Sequence, residues 1–287
     1  MNFILSTEST CDLSNEKLKN MSVYVIKMAY LINGEEYGGT TNKELEIKDF
    51  YSLMRKGAKT STSMINEENA KEYFESLLSS GKDILHISFA KACSGTYDNM
   101  KKVSDALNAT HTNKIYVVDS KCESTAQGFL VELCYKKAKS GLSAKEVFEY
   151  AEDVKERINS LFTVDNLKYL EAGGRVSKAT AVMGNILKIK PLLYVNEEGK
   201  LLAGGKVMGR KLSLTKLAEM TAKKITSESS RIYVSHCDSE SDALFLGEKI
   251  TALTGRSVTL ENIGPVIGSH SGPGTVAVFF VGENRTF

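Results

Sequence analysis

The chain has 287 residues, with 37 Lys and Arg against 35 Asp and Glu, a net charge of +2 and 42% hydrophobic residues. This is the balance of a soluble globule large enough to fold without disulfides or a structural metal. It excludes the broad basic face that nucleic-acid phosphates require, and with no Lys/Arg run longer than two residues it also excludes a polybasic membrane tether.

Short apolar runs alternate with helical patterns, which predicts an α/β protein. In the first half, residues Phe3–Ser6, Val23–Met28, Ile84–Ser88 and Ile115–Asp119 read as strands, with helices starting near Ser14, Thr96 and Ser124. Ser143 and Glu146 form a capping box, each side chain satisfying a free backbone amide of the other. The helix it opens carries Val147, Ala151, Val154 and Ile158 on one face. Beyond it, Gly173 and Gly174 stop a short helix. Leu192–Val195 and Leu201–Val207 flank a Gly199 turn and predict a hairpin, followed by a helix from Ser213 to Ile225. Arg231–His236, Val258–Leu260 and Val276–Val281 read as the last strands. The pattern predicts two α/β domains, 1–159 and 160–287. The first has a mostly parallel sheet with flanking helices, the second an antiparallel element.

The five cysteines are odd in number and contain no C-x-x-C, so neither a disulfide framework nor a zinc site is expected. The N-terminus has no basic start and only a three-residue apolar run, and the longest apolar stretch is far below the ~20 residues of a membrane helix. The expected location is the cytoplasm.

Four polar loops are candidates for chemistry, since ligands of open α/β sheets sit beyond the carboxyl ends of strands. Ser6–Asp12 carries four hydroxyls that either cap the next helix or hold a ligand. Lys59–Ser63 reads as a solvated loop whose hydroxyls are free to donate to an anionic oxygen. Cys93-Ser94-Gly95-Thr96-Tyr97 offers hydroxyls and backbone N–H groups at a helix start, which suits a carboxylate or phosphate as well as ordinary capping. Gly264–Gly274 holds two of the three prolines and four glycines, and reads as a shaped loop around His270. His86 and His236 fall in strand patterns, and His111 reads as exposed.

Ser94 and His270 could serve an acyl-ester hydrolase, but G-x-S-x-G is absent and no acid partner stands out. The Rossmann and Walker A patterns are missing, no His/carboxylate pair has metal spacing, and nothing marks Cys93 as activated. What remains is an anion-holding site of hydroxyls and backbone donors, with no cofactor expected.

The ordered segments Ser6–Leu13, Lys59-Thr60-Ser61, Ser94–Tyr97, Val118–Lys121, Leu170–Lys178, Leu187–Pro191 and Gly264–Gly274 together resemble the DegV family of bacterial fatty-acid-binding proteins over nearly the whole chain. The resemblance implies a two-domain fold that holds one long-chain fatty acid, such as palmitate, stearate or oleate, in a tunnel between the domains. The carboxylate falls to Thr60 and Ser94, with Ser61, Thr96 and His270 as neighbours. It further implies a binding subunit, not an enzyme, that presents the carboxylate to a separate ATP-dependent fatty acid kinase for acyl-phosphate formation. Transient membrane contact fits that role. Arg175 and Arg210 are the docking candidates for the kinase. Two positions depart from the family: its T-S often continues with Gln-Pro where this chain has Thr62-Ser63, and many members carry Arg where this chain has Met208.

Overall fold

The computed structural model describes residues 1–41, 43–177, 188–285 and 287. Lys178 and Leu187, at the edges of two of the family-like segments, lie outside the described residues. The first sheet is parallel throughout, in the order β2-β1-β6-β7, from strands β1 (Ile4–Glu8), β2 (Tyr24–Ile26), β6 (Ile84–Ser88) and β7 (Ile115–Asp119). All five residues of β1 and of β6 are buried, as expected of parallel strands covered on both faces. Their helices are α1 (Asn15–Met21), α3 (Glu67–Leu78), α4 (Thr96–Asn108), α5 (Thr125–Lys139) and α6 (Ala144–Val154). The capping box of Ser143 and Glu146 opens α6 as predicted.

A small antiparallel sheet was not predicted. It has the order β4-β3-β5, from β3 (Ala29–Ile32), β4 (Glu35–Gly38) and β5 (Thr60–Ser63), with α2 (Ile47–Arg55) between the last two. The run expected to be a solvated loop is therefore an edge strand. Its sequence, Thr-Ser-Thr-Ser, has no apolar residue to betray a strand, yet threonine favours extended backbone and burial alternates along it. Thr60 and Thr62 share the half-buried face; Ser61 and Ser63 are exposed.

The second half builds a six-stranded mixed sheet in the order β10-β9-β8-β13-β11-β12. The strands are β8 (Ile158–Thr163), β9 (Ile189–Val195), β10 (Leu201–Met208), β11 (Tyr233–His236), β12 (Thr259–Asn262) and β13 (Val276–Val281), and only β11 and β12 pair in parallel. The hairpin around Gly199 is present as β9 and β10. The helices are α7 (Lys168–Ala172), α8 (Arg210–Lys224), α9 (Glu240–Thr254) and α10 (Pro265–Ser271).

Two expectations are corrected here. The helix read as running to Ile158 ends at Val154; after one 3-10 turn, Ile158 opens β8, so its place in a helical stripe was coincidental. Asn159 and Ser160 thus lie inside a strand. The Gly264–Gly274 loop contains a helix: Pro265 occupies its first turn, where a missing N–H costs nothing, and Gly272 ends it at φ +77. Density of turn formers marked the two ends and hid the seven residues between them.

The cores explain the continuous apolar run of β13. Ala277, Phe279 and Val281 join a cluster with Leu5, Phe129 and Phe162, whereas Val276, Val278 and Phe280 pack against Leu214 and Leu246 on the other face. Helix α5 is buried along most of its length between the parallel sheet and the mixed sheet, packing Phe129 edge-on against Tyr233. A third cluster, with Phe50, Phe74 and Met100, reaches Ile263 and Val266 at the start of α10.

Candidate functional site

A cavity of about 290 Å3 lies where the three sheets face one another. This is near the lower end of small-molecule pockets, which run from about 300 Å3 upward. The mixed sheet supplies Phe162, Val195, Ala277 and Phe279; the parallel sheet's exit supplies Phe89; β3 is preceded by Met28, and α10 adds Val266 and Ile267. Such walls hold hydrocarbon and offer it nothing else.

Polar groups gather on one side. The Thr62 hydroxyl and His270 Nε2 are hydrogen-bonded at 2.7 Å. Arg175, at the end of the turn after α7, donates to the Cys93 carbonyl through Nε (3.2 Å) and Nη2 (3.0 Å), and also to the Gly173 carbonyl. Ser94 follows Cys93 two residues before α4: its hydroxyl donates to Thr96 Oγ1 at 3.0 Å and accepts from the Thr96 N–H at 3.2 Å. Thr62, Ser94, Arg175 and His270 all line the cavity. Gly173 allows the close approach of His270, since an added Cβ would stand 2.3 Å from its Nδ1. Burial, helped by the Arg175 charge, pushes the His270 pKa down to about 4, so the ring is neutral at physiological pH. A carboxylate entering here meets two hydroxyls, a neutral imidazole and one guanidinium.

The candidates named from sequence divide. Ser94 and His270 line the cavity. Thr60 and Ser61 line an adjoining open groove of about 560 Å3 instead, and the Thr60 hydroxyl donates to the Ser269 carbonyl at 3.2 Å. Thr96 is wholly buried beneath Ser94, where it also accepts from the Ile65 N–H. Arg175, named for docking, lines the cavity itself. Arg210 turns away to Asp242 (2.8 Å) and the Gly274 carbonyl (2.6 Å). Met208 is 71% exposed on the edge strand β10. Thr62, which lines the cavity, was not singled out from sequence. Its signal was present: two Thr-Ser pairs stand two residues apart, and in a strand both threonines point the same way. Ser94 and His270 are bonded to Thr96 and Thr62 respectively and not to each other, so the base of a hydrolase is engaged elsewhere.

Buried acids stand beside this cluster. Glu123 lines the cavity, 3.6 Å from Cys93 Sγ, and burial pushes its carboxyl up to about 8 against the pull of Arg285. Burial also pushes the Cys93 thiol well up, which leaves it protonated and unreactive. Asp12 joins two elements of the site, accepting from Ser124 Oγ at 2.6 Å and from the Gly264 N–H at the start of α10 at 2.9 Å. Burial outweighs those bonds and raises Asp12 from 3.8 to about 7. The folded chain therefore keeps a proton that the unfolded chain releases near pH 4, and this contribution to stability is full at low pH and lost as pH rises through about 7. We predict that the melting temperature falls between pH 5 and pH 8, and that Asp12→Asn reduces the fall without abolishing it, leaving the comparable part due to Glu123, whose carboxyl is raised to about 8. An equal fall in wild type and Asp12→Asn would contradict the assignment.

Among the described residues no helix is long and apolar enough to cross a membrane, and no group of three His, Cys, Asp or Glu side chains is placed to hold a metal ion.

The family model described as "Uncharacterised protein, DegV family" matches residues 3–283. A DegV domain-containing protein of Clostridium perfringens is 35% identical over 286 residues, covering 99% of this chain and 98% of its own length. One of Lactococcus lactis is 32% identical over 283 residues, covering 98% of each. Among solved structures, a fatty acid binding DegV family protein of Streptococcus agalactiae superposes with a TM-score of 0.87 at 26% identity, over 99% of this chain and 100% of that one. A stearic acid-binding protein of Eubacterium ventriosum has the same fold, with a TM-score of 0.86 at 20% identity over 98% of each chain.

Proposed function

The chain belongs to the DegV family, and from that premise we propose that it binds one long-chain fatty acid in the cavity and presents the carboxylate to a separate ATP-dependent fatty acid kinase. The acyl chain lies along the apolar walls between a domain of residues 1–159 and one of residues 160–287. The carboxylate lies against Thr62, Ser94, His270 and Arg175. The observation that carries this reading is a cavity with largely apolar walls in which Thr62, Ser94, Arg175 and His270 can meet a carboxylate. Relatives described as binding stearic acid and other fatty acids point the same way.

Energetics support it. Burying the methylenes of a sixteen-carbon chain at about 0.8 kcal/mol each contributes on the order of 10 kcal/mol before association entropy is subtracted. An unsatisfied carboxylate would cancel much of that gain. The hydroxyls and the neutral imidazole satisfy it without a full charge, and Arg175, the one full charge in the set, already divides its donors between the Cys93 and Gly173 carbonyls, so the oxygen keeps the nucleophilicity needed to attack the γ-phosphorus of ATP, with ADP leaving. The chain itself then catalyses nothing and works in the cytoplasm. The test is acyl-phosphate formation, trapped as the hydroxamate, when loaded protein is mixed with a fatty acid kinase of a DegV-containing bacterium and ATP. Product that depends on this chain supports presentation; no product with fully loaded protein would remove the kinase while leaving the binding reading intact.

A further inference from the structure

The segment leading to Ser94 starts at a buried carboxylate that lies outside the cavity. Glu8, the last residue of β1, is fully buried. Its Oε1 accepts from His86 Nε2 (3.0 Å) and Ser88 Oγ (2.6 Å); its Oε2 accepts from the Phe89 N–H (2.9 Å) and Gln127 Nε2 (2.6 Å). Four donors fill the roughly four acceptor positions of an ionised carboxylate. Behind them, Ser6 Oγ meets His86 Nδ1 at 2.8 Å, and Thr10 donates to Gln127 Oε1 at 2.8 Å. Ser6, His86 and Glu8 stand in the order of a hydrolase triad, but all three are 0% exposed and none lines a cavity described above. No substrate reaches them.

What the network does reach is the cavity wall. Phe89 is the first residue past β6 and lines the cavity with its side chain, and the chain then runs through Ala90–Cys93 to Ser94. The next anchors along it are longer: Ala90 N–H to the Cys122 carbonyl at 3.2 Å and Lys91 N–H to Asp119 Oδ1 at 3.1 Å. We propose that Glu8 is a positioning residue of the ligand site, which fixes the exit of the chain from β6 through the Phe89 N–H and so sets where Phe89 and Ser94 stand. The proposal rests on the reading that Ser94 holds the ligand carboxylate. A carboxylate is required because all four of its neighbours donate. An amide at this position has to turn its own NH2 toward two of those donors, leaving buried groups unpaired.

The test is displacement of a fluorescent fatty acid by stearic acid from the full chain, in wild type, Glu8→Gln, Ser94→Ala and the double variant. Losing one hydrogen bond to a charged ligand group weakens binding by about tenfold. Each single variant is expected to show that loss, and the double variant about the same tenfold rather than the hundredfold of independent sites. Wild-type affinity in folded Glu8→Gln, or a double variant equal to the product of the singles, would overturn the proposal. Where Glu8→Gln does not fold, Glu8→Asp keeps the charge and withdraws it by one methylene. Its Phe89 amide is then expected to exchange with solvent at least about tenfold faster while the Leu85 and Ile87 amides keep their rates. Unchanged Phe89 exchange would also overturn the proposal. Wild-type protein that does not bind stearic acid would sink the fatty-acid reading instead, and the Phe89 exchange would still decide the role of Glu8.

Discussion

Thr62→Ala combined with Ser94→Ala lowers affinity for stearic acid by about a hundredfold, since each hydroxyl contributes a hydrogen bond to a charged group, about 1.5 kcal/mol or more. Thr60→Ala has little effect, because the Thr60 hydroxyl is bonded to the Ser269 carbonyl and faces the adjoining groove. The pair of results separates two registers of one Thr-Ser-Thr-Ser strand. A large loss in Thr60→Ala with none in Ser94→Ala would mean that the ligand lies in the groove, which Thr62 also lines, and not in the cavity. Thr60, Thr62 and Ser94 are all only half-buried, so melting temperatures should move little. That keeps the affinity change interpretable.

Ala277→Phe removes binding by occupying the space the acyl chain needs. Ala277 lies on β13 with its side chain on the cavity face, between strands that pair it with Phe162 and Ser235. In a close-packed core the added ring would cost about 1–3 kcal/mol of strain. Here the cavity of about 290 Å3 receives it, so stability should hold while affinity for stearic acid falls below detection. Full retention of stearic acid by folded Ala277→Phe would show that the ligand lies elsewhere.

How far the sequence alone reaches is clear from particular residues. β6, β7 and β13 read correctly because buried strands are short apolar runs bounded by turn formers. The capping box of Ser143 and Glu146 is local chemistry and needs no tertiary information. β5 escaped because its partner β3, thirty residues earlier, makes it a strand, and no hydrophobic residue records that pairing. Ile158 misled because a helical stripe and a strand start look alike over four residues. Ser94 and His270 were legible as site candidates, since both fall in polar loops beyond strands and His270 stands among turn formers dense enough to imply a shaped loop. Thr62 and the cavity position of Arg175 were not, because facing depends on register and on the turn after α7. Glu8 was visible only as part of a polar run; its four donors come from β6, its flank and α5.

The most direct measurement is denaturing mass spectrometry of the purified full chain, before and after incubation with stearic acid. The structure predicts release of one long-chain fatty acid per chain, either carried through purification or taken up on incubation, and none from Ala277→Phe. A chain that carries no fatty acid and takes up none would contradict the account.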